Sequence, residues 1–205
     1  MLDAMTRHRR QRGLTLAELL ITIAVAAALL TIAAPSFREF ILTQRLKSIN
    51  GQLVTDLQYA RSEAAARGLN VTFRVSAATA DSPQTCYIIY TDPSADPPSQ
   101  ACGCHRVAGA RCDGDAREIR TVAVPTSDGV ALSVPIDQAD RFTYDPIAGG
   151  IRLPIIEVGA APGSQFAVGA SVDAARSLLT VVGLSGRPSV CSPSGSTMHE
   201  PSCDD

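Results

Sequence analysis

Cysteine chemistry is the first possibility that this sequence raises. Three of its six cysteines lie with a histidine in the stretch CGCHRVAGARC, as Cys102, Cys104, His105 and Cys112. Thiolates and an imidazole could bind zinc, although C-x-C-H is not a standard spacing of zinc ligands. The same sulfurs could instead form disulfides, which are typical of oxidising compartments. We expect disulfides here and no bound metal.

The C-terminal cysteines, Cys191 and Cys203, lie close together in the sequence. A disulfide between them would close a small terminal loop and contribute about 2–3 kcal/mol by restricting the unfolded tail. The other bridges would come from the remaining four cysteines, which are Cys86, Cys102, Cys104 and Cys112. Six cysteines allow about fifteen full pairings, and the sequence does not choose among them.

No arrangement of residues predicts catalysis. The sequence contains no G-x-S-x-G, no H-E-x-x-H and no glycine-rich phosphate loop. Of the three histidines, His8 lies in the N-terminal stub and His199 in the C-terminal tail. We expect neither an enzyme nor a cofactor.

The charge distribution argues against a general nucleic-acid role. Without residues 1–13, the basic count falls from 18 to 14 and the acidic count from 20 to 19, so the formal charge goes from −2 to −5. Phosphate binding needs a surplus of Lys and Arg.

An apolar segment at residues 14–34 contains one charged residue, Glu18. About 20 apolar residues span a bilayer as a helix, and the four arginines before the segment should keep the N-terminus in the cytoplasm. A carboxylate at this place costs about 3 kcal/mol and normally has a partner. Snorkelling of Glu18 to the interface is the simpler alternative. The apolar segment as a whole could also be a secretory signal peptide that is cut near Ala33, or an uncleaved anchor. Neither of these alternatives explains Glu18.

The elements that would carry these residues follow from the hydrophobic periodicity. One helical stripe extends the helix from Leu14 to Arg67, and Gly68 should end it. The stripe residues are Leu42, Leu46, Ile49, Leu53, Leu57, Ala60 and Ala64. Alternating patterns then predict strands at 71–75, 86–90, 118–124, 130–134, 141–144, 150–154, 166–170 and 177–183. We expect one antiparallel sheet packed on the second half of the helix, and surface loops from 76 to 116.

The stretch GLTLAEL, residues 13–19, resembles the processing site of type IV prepilins and type II secretion pseudopilins. The resemblance implies cleavage by the prepilin peptidase between Gly13 and Leu14, followed by methylation of Leu14. The family usually has Phe at that position. Glu18 matches the family's acid at the fifth mature position, and Pro35 falls where the family's helix is often kinked. Glu18 would then face the N-terminal ammonium of a neighbouring subunit and fix the axial register, because apolar surroundings strengthen that attraction.

The C-terminal third resembles the GspH/FimT branch of the same proteins, through FTYDPIAGG and LLTVVGLSGRPSVC. Some members of this branch bind DNA through an arginine-bearing end. Here Arg187 matches one of those arginines, while Ser189 replaces the second. The tail after Cys191 contains no Lys or Arg, so DNA is an unfavoured partner, with Arg187 as its candidate contact. The ordinary alternative is a turn at Gly186 with Arg187 paired locally.

Together these features predict an α+β protein of the type IV pilin-like fold. Its parts would be a cleaved leader at 1–13, a transmembrane half-helix at 14–35, an amphipathic half-helix at 36–68 and a periplasmic β-rich domain at 69–205. It would be a single-pass inner-membrane protein before it enters a type IV pilus or a type II secretion pseudopilus, in the tip or priming complex. The expected partners are other minor pilins or pseudopilins, the major subunit, the inner-membrane platform protein and the prepilin peptidase.

Overall fold

The computed structural model describes residues 15–93, 99–136, 138–154 and 163–203, without the side chains of 32–35. The chain divides into two compact units, residues 1–40 and 41–205. One helix, α1 (Leu16–Arg67), contributes to both. In the first unit every described side chain is exposed. Among the described residues no single helical segment is long and apolar enough to cross a membrane. The segments Leu16–Thr31 and Ser36–Arg67 meet that requirement only when they are taken together, by length and composition.

The second unit begins with the part of α1 whose apolar stripe was predicted. Leu46, Leu53 and Leu57 are fully or almost fully buried, and so are Ala60 and Ala64. Leu42 and Ile49, at the near end of the stripe, are half-buried. The helix ends at Gly68 as predicted, because that residue has a φ of 64° and its N–H bonds to the Ala64 carbonyl.

In the described part of the chain, nine antiparallel strands follow α1. They are β1 (Val71–Ser76), β2 (Gln84–Thr91), β3 (Arg117–Pro125), β4 (Ala131–Ser133), β5 (Arg141–Tyr144), β6 (Ile151–Arg152), β7 (Gln165–Ser171), β8 (Ser177–Gly183) and β9 (Pro188–Cys191). The predicted α+β class is confirmed, and each of the eight predicted strands is present. The expectation of one sheet is wrong, because the described strands form two. The five-stranded sheet has the order β3-β2-β1-β5-β6, and the four-stranded sheet has the order β4-β7-β8-β9.

Aromatic side chains join the two sheets under α1. Phe73 and Phe142 are directly paired residues on β1 and β5 of the first sheet. Phe166 on β7 of the second sheet contacts both, with ring centroids 6.1 Å from Phe73 and 4.8 Å from Phe142. All three belong to one buried cluster with the α1 stripe. Burial of such large apolar groups is the main stabilising contribution to a core without tryptophan.

Strand β2 is buried on both faces. Tyr87 and Ile89 belong to the core beneath α1, while Ile88 and Tyr90 point the other way. The second face is covered by the loop after residue 99, which adds Cys102, Cys104 and Ala116 to a small apolar cluster. The expectation that residues 76–116 form surface loops is therefore wrong for this part. The loop after residue 99 covers the face of β2 that points away from α1.

Two disulfides hold this covering loop, and a third closes the C-terminal tail. Their pairs are Cys86–Cys104, Cys102–Cys112 and Cys191–Cys203. The first two overlap along the chain, since each closed loop contains one cysteine of the other. The tail disulfide is the pair expected from the sequence. All six cysteines are bonded, so the sulfurs considered as zinc ligands at 102, 104 and 112 are not thiolates.

Candidate functional site

The predicted assembly residues lie at the start of α1. The Glu18 amide N–H bonds to the Thr15 hydroxyl at 3.2 Å, so Thr15 caps the helix and Glu18 is the third residue of its first turn. Thr-x-x-Glu is the pattern of a capping box, which is recognisable in the sequence. An acid in the first turn also favours the positive end of the helix dipole. The place of Glu18 therefore has a local reason beside the proposed contact with a neighbour.

The other processing residues can be placed only in part. Gly13 and Leu14 lie outside the described residues. Pro35 lies within α1, and its side chain is also outside the description. Their predicted roles therefore stay predictions from the sequence.

Two buried polar residues on α1, Asn50 and Asp56, fix the helix on the sheets. Thr180 on β8 donates a hydrogen bond to the Asn50 amide oxygen at 2.9 Å. The Asp56 carboxylate accepts a hydrogen bond from the Tyr87 hydroxyl on β2 and forms an ion pair with Arg120 on β3. A buried polar group without a partner is costly, so these contacts favour one rotation of α1 over others. Both residues lie on the same face of α1 as the apolar stripe. A polar residue on that face is the feature of the sequence that could have identified them.

The GLSGRP segment forms a tight turn between β8 and β9. Gly186 has a φ of 75°, and a Cβ added to it would lie 2.4 Å from the Gly149 carbonyl oxygen. A Cβ added to Gly150 would lie 2.5 Å from the Leu184 carbonyl oxygen. The Ile151 N–H also bonds to the Leu184 carbonyl at 3.0 Å. The DPIAGG loop and the GLSGRP turn are therefore interlocked through backbone contacts that only glycine allows.

A groove of about 540 Å³ lies beside this turn. It is lined by four residues on one face of α1 and two from the turn: Gln58, Arg61, Ser62, Ala65, Arg187 and Pro188. Arg61 reaches the DPIAGG loop, where its Nη2 atom lies 3.3 Å from a Cβ added at Gly149. The predicted turn at Gly186 is present. Arg187 is exposed and has no ion pair among the residues described.

Ser189 does not supply a second cation at this end of the chain. It pairs with Val181 in the β8–β9 ladder, and its hydroxyl is 3.4 Å from the Val181 carbonyl. The second guanidinium of the groove, Arg61, comes from α1 instead. No local sequence pattern connects Arg61 with Arg187.

Two family models match the chain. The type II transport protein GspH family matches residues 51–186, and the prokaryotic N-terminal methylation motif matches residues 8–34. No curated protein and no solved structure matches it.

A methylation motif, a long N-terminal helix and an antiparallel β domain define a pilin-like protein. The chain belongs to the type II transport protein GspH family, whose model covers more than half of it. It is a minor pseudopilin or pilin, and its family associates with other such subunits in a pilus or pseudopilus. The resemblance stated from the sequence is confirmed.

Proposed function

We propose that this chain is processed at the inner membrane and enters a short filament as a minor subunit. The prepilin peptidase cleaves between Gly13 and Leu14 and methylates Leu14. The apolar segment at 14–34 anchors the chain once in the membrane, with the N-terminus in the cytoplasm and the β domain in the periplasm. Assembly then extracts this helix into the filament.

The match of the methylation motif to residues 8–34 is the observation that carries this proposal. This match supports the proposal because it spans the predicted cleavage site, the apolar segment and Glu18. Three disulfides in the β domain are what an oxidising compartment favours.

Glu18 acts in assembly by facing the N-terminal ammonium of the adjacent subunit. In an apolar environment a lone carboxylate is strongly disfavoured, so pairing fixes the axial register. Thr15 supports this role locally, since it orders the first turn that carries Glu18.

The mass of the mature N-terminal peptide from native membranes tests the proposal. We expect a peptide that begins at Leu14 with one added methyl group. A start near Ala34, with the apolar segment absent, would instead identify a secreted periplasmic protein. Glu18→Ala should then leave processing and folding unchanged but remove the subunit from sheared filaments, with Glu18→Asp as the matched control.

We also propose the type II secretion pseudopilus as the filament, with a place in its tip or priming complex. The GspH match favours secretion over pilus function. The proposed contacts are with other pseudopilins, the major subunit and the inner-membrane platform protein, and the role is structural instead of catalytic. Deletion of the gene should abolish secretion into the medium, whereas a type IV pilus subunit would change surface piliation.

A further inference from the structure

The groove beside the GLSGRP turn holds two arginines and no counter-charge. Arg61 and Arg187 both line it, and neither has a carboxylate partner among the residues that the structure describes. Most other arginines of the described β domain do have one, for example Arg74 with Asp140 and Arg111 with Glu118. Two guanidinium groups in one groove repel each other unless an anion lies between them. The chain itself supplies no such anion in the described structure.

The groove is a formed site with fixed walls. Gln58, Arg61, Ser62 and Ala65 follow the helical spacing of three, four and seven residues, so they lie on one face of α1. The opposite wall is the turn at Gly186, which is locked against Gly149 by close backbone contact. Neither wall needs to move to receive a ligand, and pre-organisation of this kind lowers the entropic cost of binding.

A further hydrogen-bond donor lies beneath the same turn. The Tyr144 hydroxyl is buried and has no hydrogen-bond partner in the described structure. The Tyr144 ring lies directly under Gly186, since its Cε1 atom is 3.2 Å from a Cβ added there. Burial raises the pKa of Tyr144, and the nearby Arg61 guanidinium lowers it by less. A buried donor without a partner is rare in proteins.

We propose that this groove binds a carboxylate side chain of an adjacent filament subunit, held between Arg61 and Arg187. This inference rests on the proposed function, because it requires a neighbouring subunit. Arginine is suited to the role, as its planar guanidinium donates two parallel hydrogen bonds to a carboxylate. The Gln58 amide and the Ser62 hydroxyl offer additional polar contacts on the helix wall.

A protein carboxylate fits the groove better than a nucleic acid does. Double-stranded DNA presents about one phosphate charge per 1.7 Å, so useful affinity requires a row of cations. Here two cations lie in a groove of about 540 Å³, on a chain whose formal charge is −5 without residues 1–13. That size suits one or two side chains.

Site-specific photo-crosslinking from Ala65 in the full chain, in its own bacterial host, tests the proposal. Ala65 is exposed, lines the groove and carries no charge. We expect an adduct with a pilin-like subunit, and mass spectrometry should map it to a peptide that contains Asp or Glu. Arg61→Glu and Arg187→Glu should each reduce the adduct at least fivefold. Lys47→Glu is the matched control, because it reverses an exposed charge on α1 that lies outside the groove and has no ion pair among the residues described.

Charge exchange adds a readout that loss of folding cannot imitate. When the mapped acid of the partner is changed to Arg, the adduct should return in the Arg187→Glu background. An adduct that is equally strong in all three reversal variants, that maps to a segment without an acid, or that contains nucleic acid would overturn the proposal.

The N-terminal peptide mass from the same cells separates the two proposals. A methylated start at Leu14 without any adduct from Ala65 would overturn the groove contact and leave the proposed function intact. A start near Ala34 would overturn both.

Discussion

The Asp56 carboxylate on α1 accepts a 2.6 Å hydrogen bond from the Tyr87 hydroxyl on β2, and both groups are buried. Arg120 lies 3.1 Å from the same carboxylate oxygen. A charge held inside the protein in this way requires its hydrogen bonds, so the contact links the rotation of the helix to the five-stranded sheet.

Tyr87→Phe should lower the free energy of unfolding by about 1.5–3 kcal/mol, because it leaves the buried carboxylate with one hydrogen bond fewer. Urea denaturation of the full chain in detergent, followed by circular dichroism, measures this. Tyr59→Phe is the matched control, since Tyr59 lies on α1, the helix that carries Asp56, and is 39% exposed. Equal effects of the two substitutions would contradict the assigned role of Asp56.

Gly186→Ala should destabilise the protein by at least about 1–3 kcal/mol, because a positive φ is unfavourable for alanine. The added Cβ would also collide with the Gly149 carbonyl. Gly195→Ala separates the two effects, since Gly195 has a φ of 87° but no atom within 4 Å of an added Cβ. We expect the Gly186 variant to melt at a clearly lower temperature than the Gly195 variant. Similar melting temperatures would argue against an interlock of the two loops.

Gly51→Ala should stabilise the protein by up to about 1 kcal/mol, because glycine is the weaker helix former within a helix. Gly51 is exposed in α1, and nothing lies within 4 Å of an added Cβ. Thermal denaturation of the full chain is the measurement. A decrease in stability would show that this part of α1 is not a regular helix in solution.

Acid should weaken the DPIAGG loop through Asp145. The Asp145 carboxylate accepts hydrogen bonds from the N–H groups of Ala148 and Ile147 and pairs with Arg152, and these contacts hold its pKa below the usual range. The unfolded chain therefore binds the proton more readily than the folded chain. The stabilisation is present above about pH 4, the unfolded pKa, and is lost as the pH falls through the folded pKa.

Asp145→Asn should remove this dependence, since asparagine keeps an acceptor oxygen but does not titrate. The melting temperatures of wild type and variant should differ at neutral pH and converge in acid. Parallel curves across the pH range would exclude Asp145 as the titrating group.

Replacement of both Cys191 and Cys203 by Ser should lower the free energy of unfolding by about 2–3 kcal/mol, the value expected for a loop of this length. Met198, in the tail that this disulfide closes, is part of the main core. Limited proteolysis should therefore cut the variant between positions 191 and 203 and leave the wild type intact. An uncut variant of unchanged stability would mean that the tail is held without the bond.

The helix and most strands could be predicted because their side-chain periods differ. The stripe from Leu42 to Ala64 has the spacing of a helix, and strands such as β8 alternate between buried and half-buried residues. Period alone does not determine which strands pair, so the division into two sheets could not be predicted. Strand β9 was missed because it starts at Pro188, which does not donate to a sheet.

The residues of the candidate site also differ in whether a local sequence pattern could predict them. The N-terminal methylation motif is contiguous in sequence, so a local pattern could predict it. The groove joins Arg61 to Arg187 across the fold, and no local pattern connects residues so far apart. Disulfide pairing among residues 86, 102, 104 and 112 was open for the same reason, because it depends on which loop covers the outer face of β2.

The overlap of Cys86–Cys104 with Cys102–Cys112 has a consequence for biogenesis. If the β domain crosses the membrane with its N-terminal side first, as proposed above, Cys102 meets Cys86 before Cys104 emerges. Oxidation in the order of emergence would thus join a wrong pair, two residues from the correct one. Once Cys104 and Cys112 have then paired, none of these four cysteines has a free thiol, so recovery requires an external thiolate that opens Cys86–Cys102 as a mixed disulfide. The released cysteine thiolate exchanges with the second bond until Cys86 pairs with Cys104, and the external thiol leaves again. The yield of this subunit should therefore depend on a cell's disulfide isomerase as well as on its oxidase.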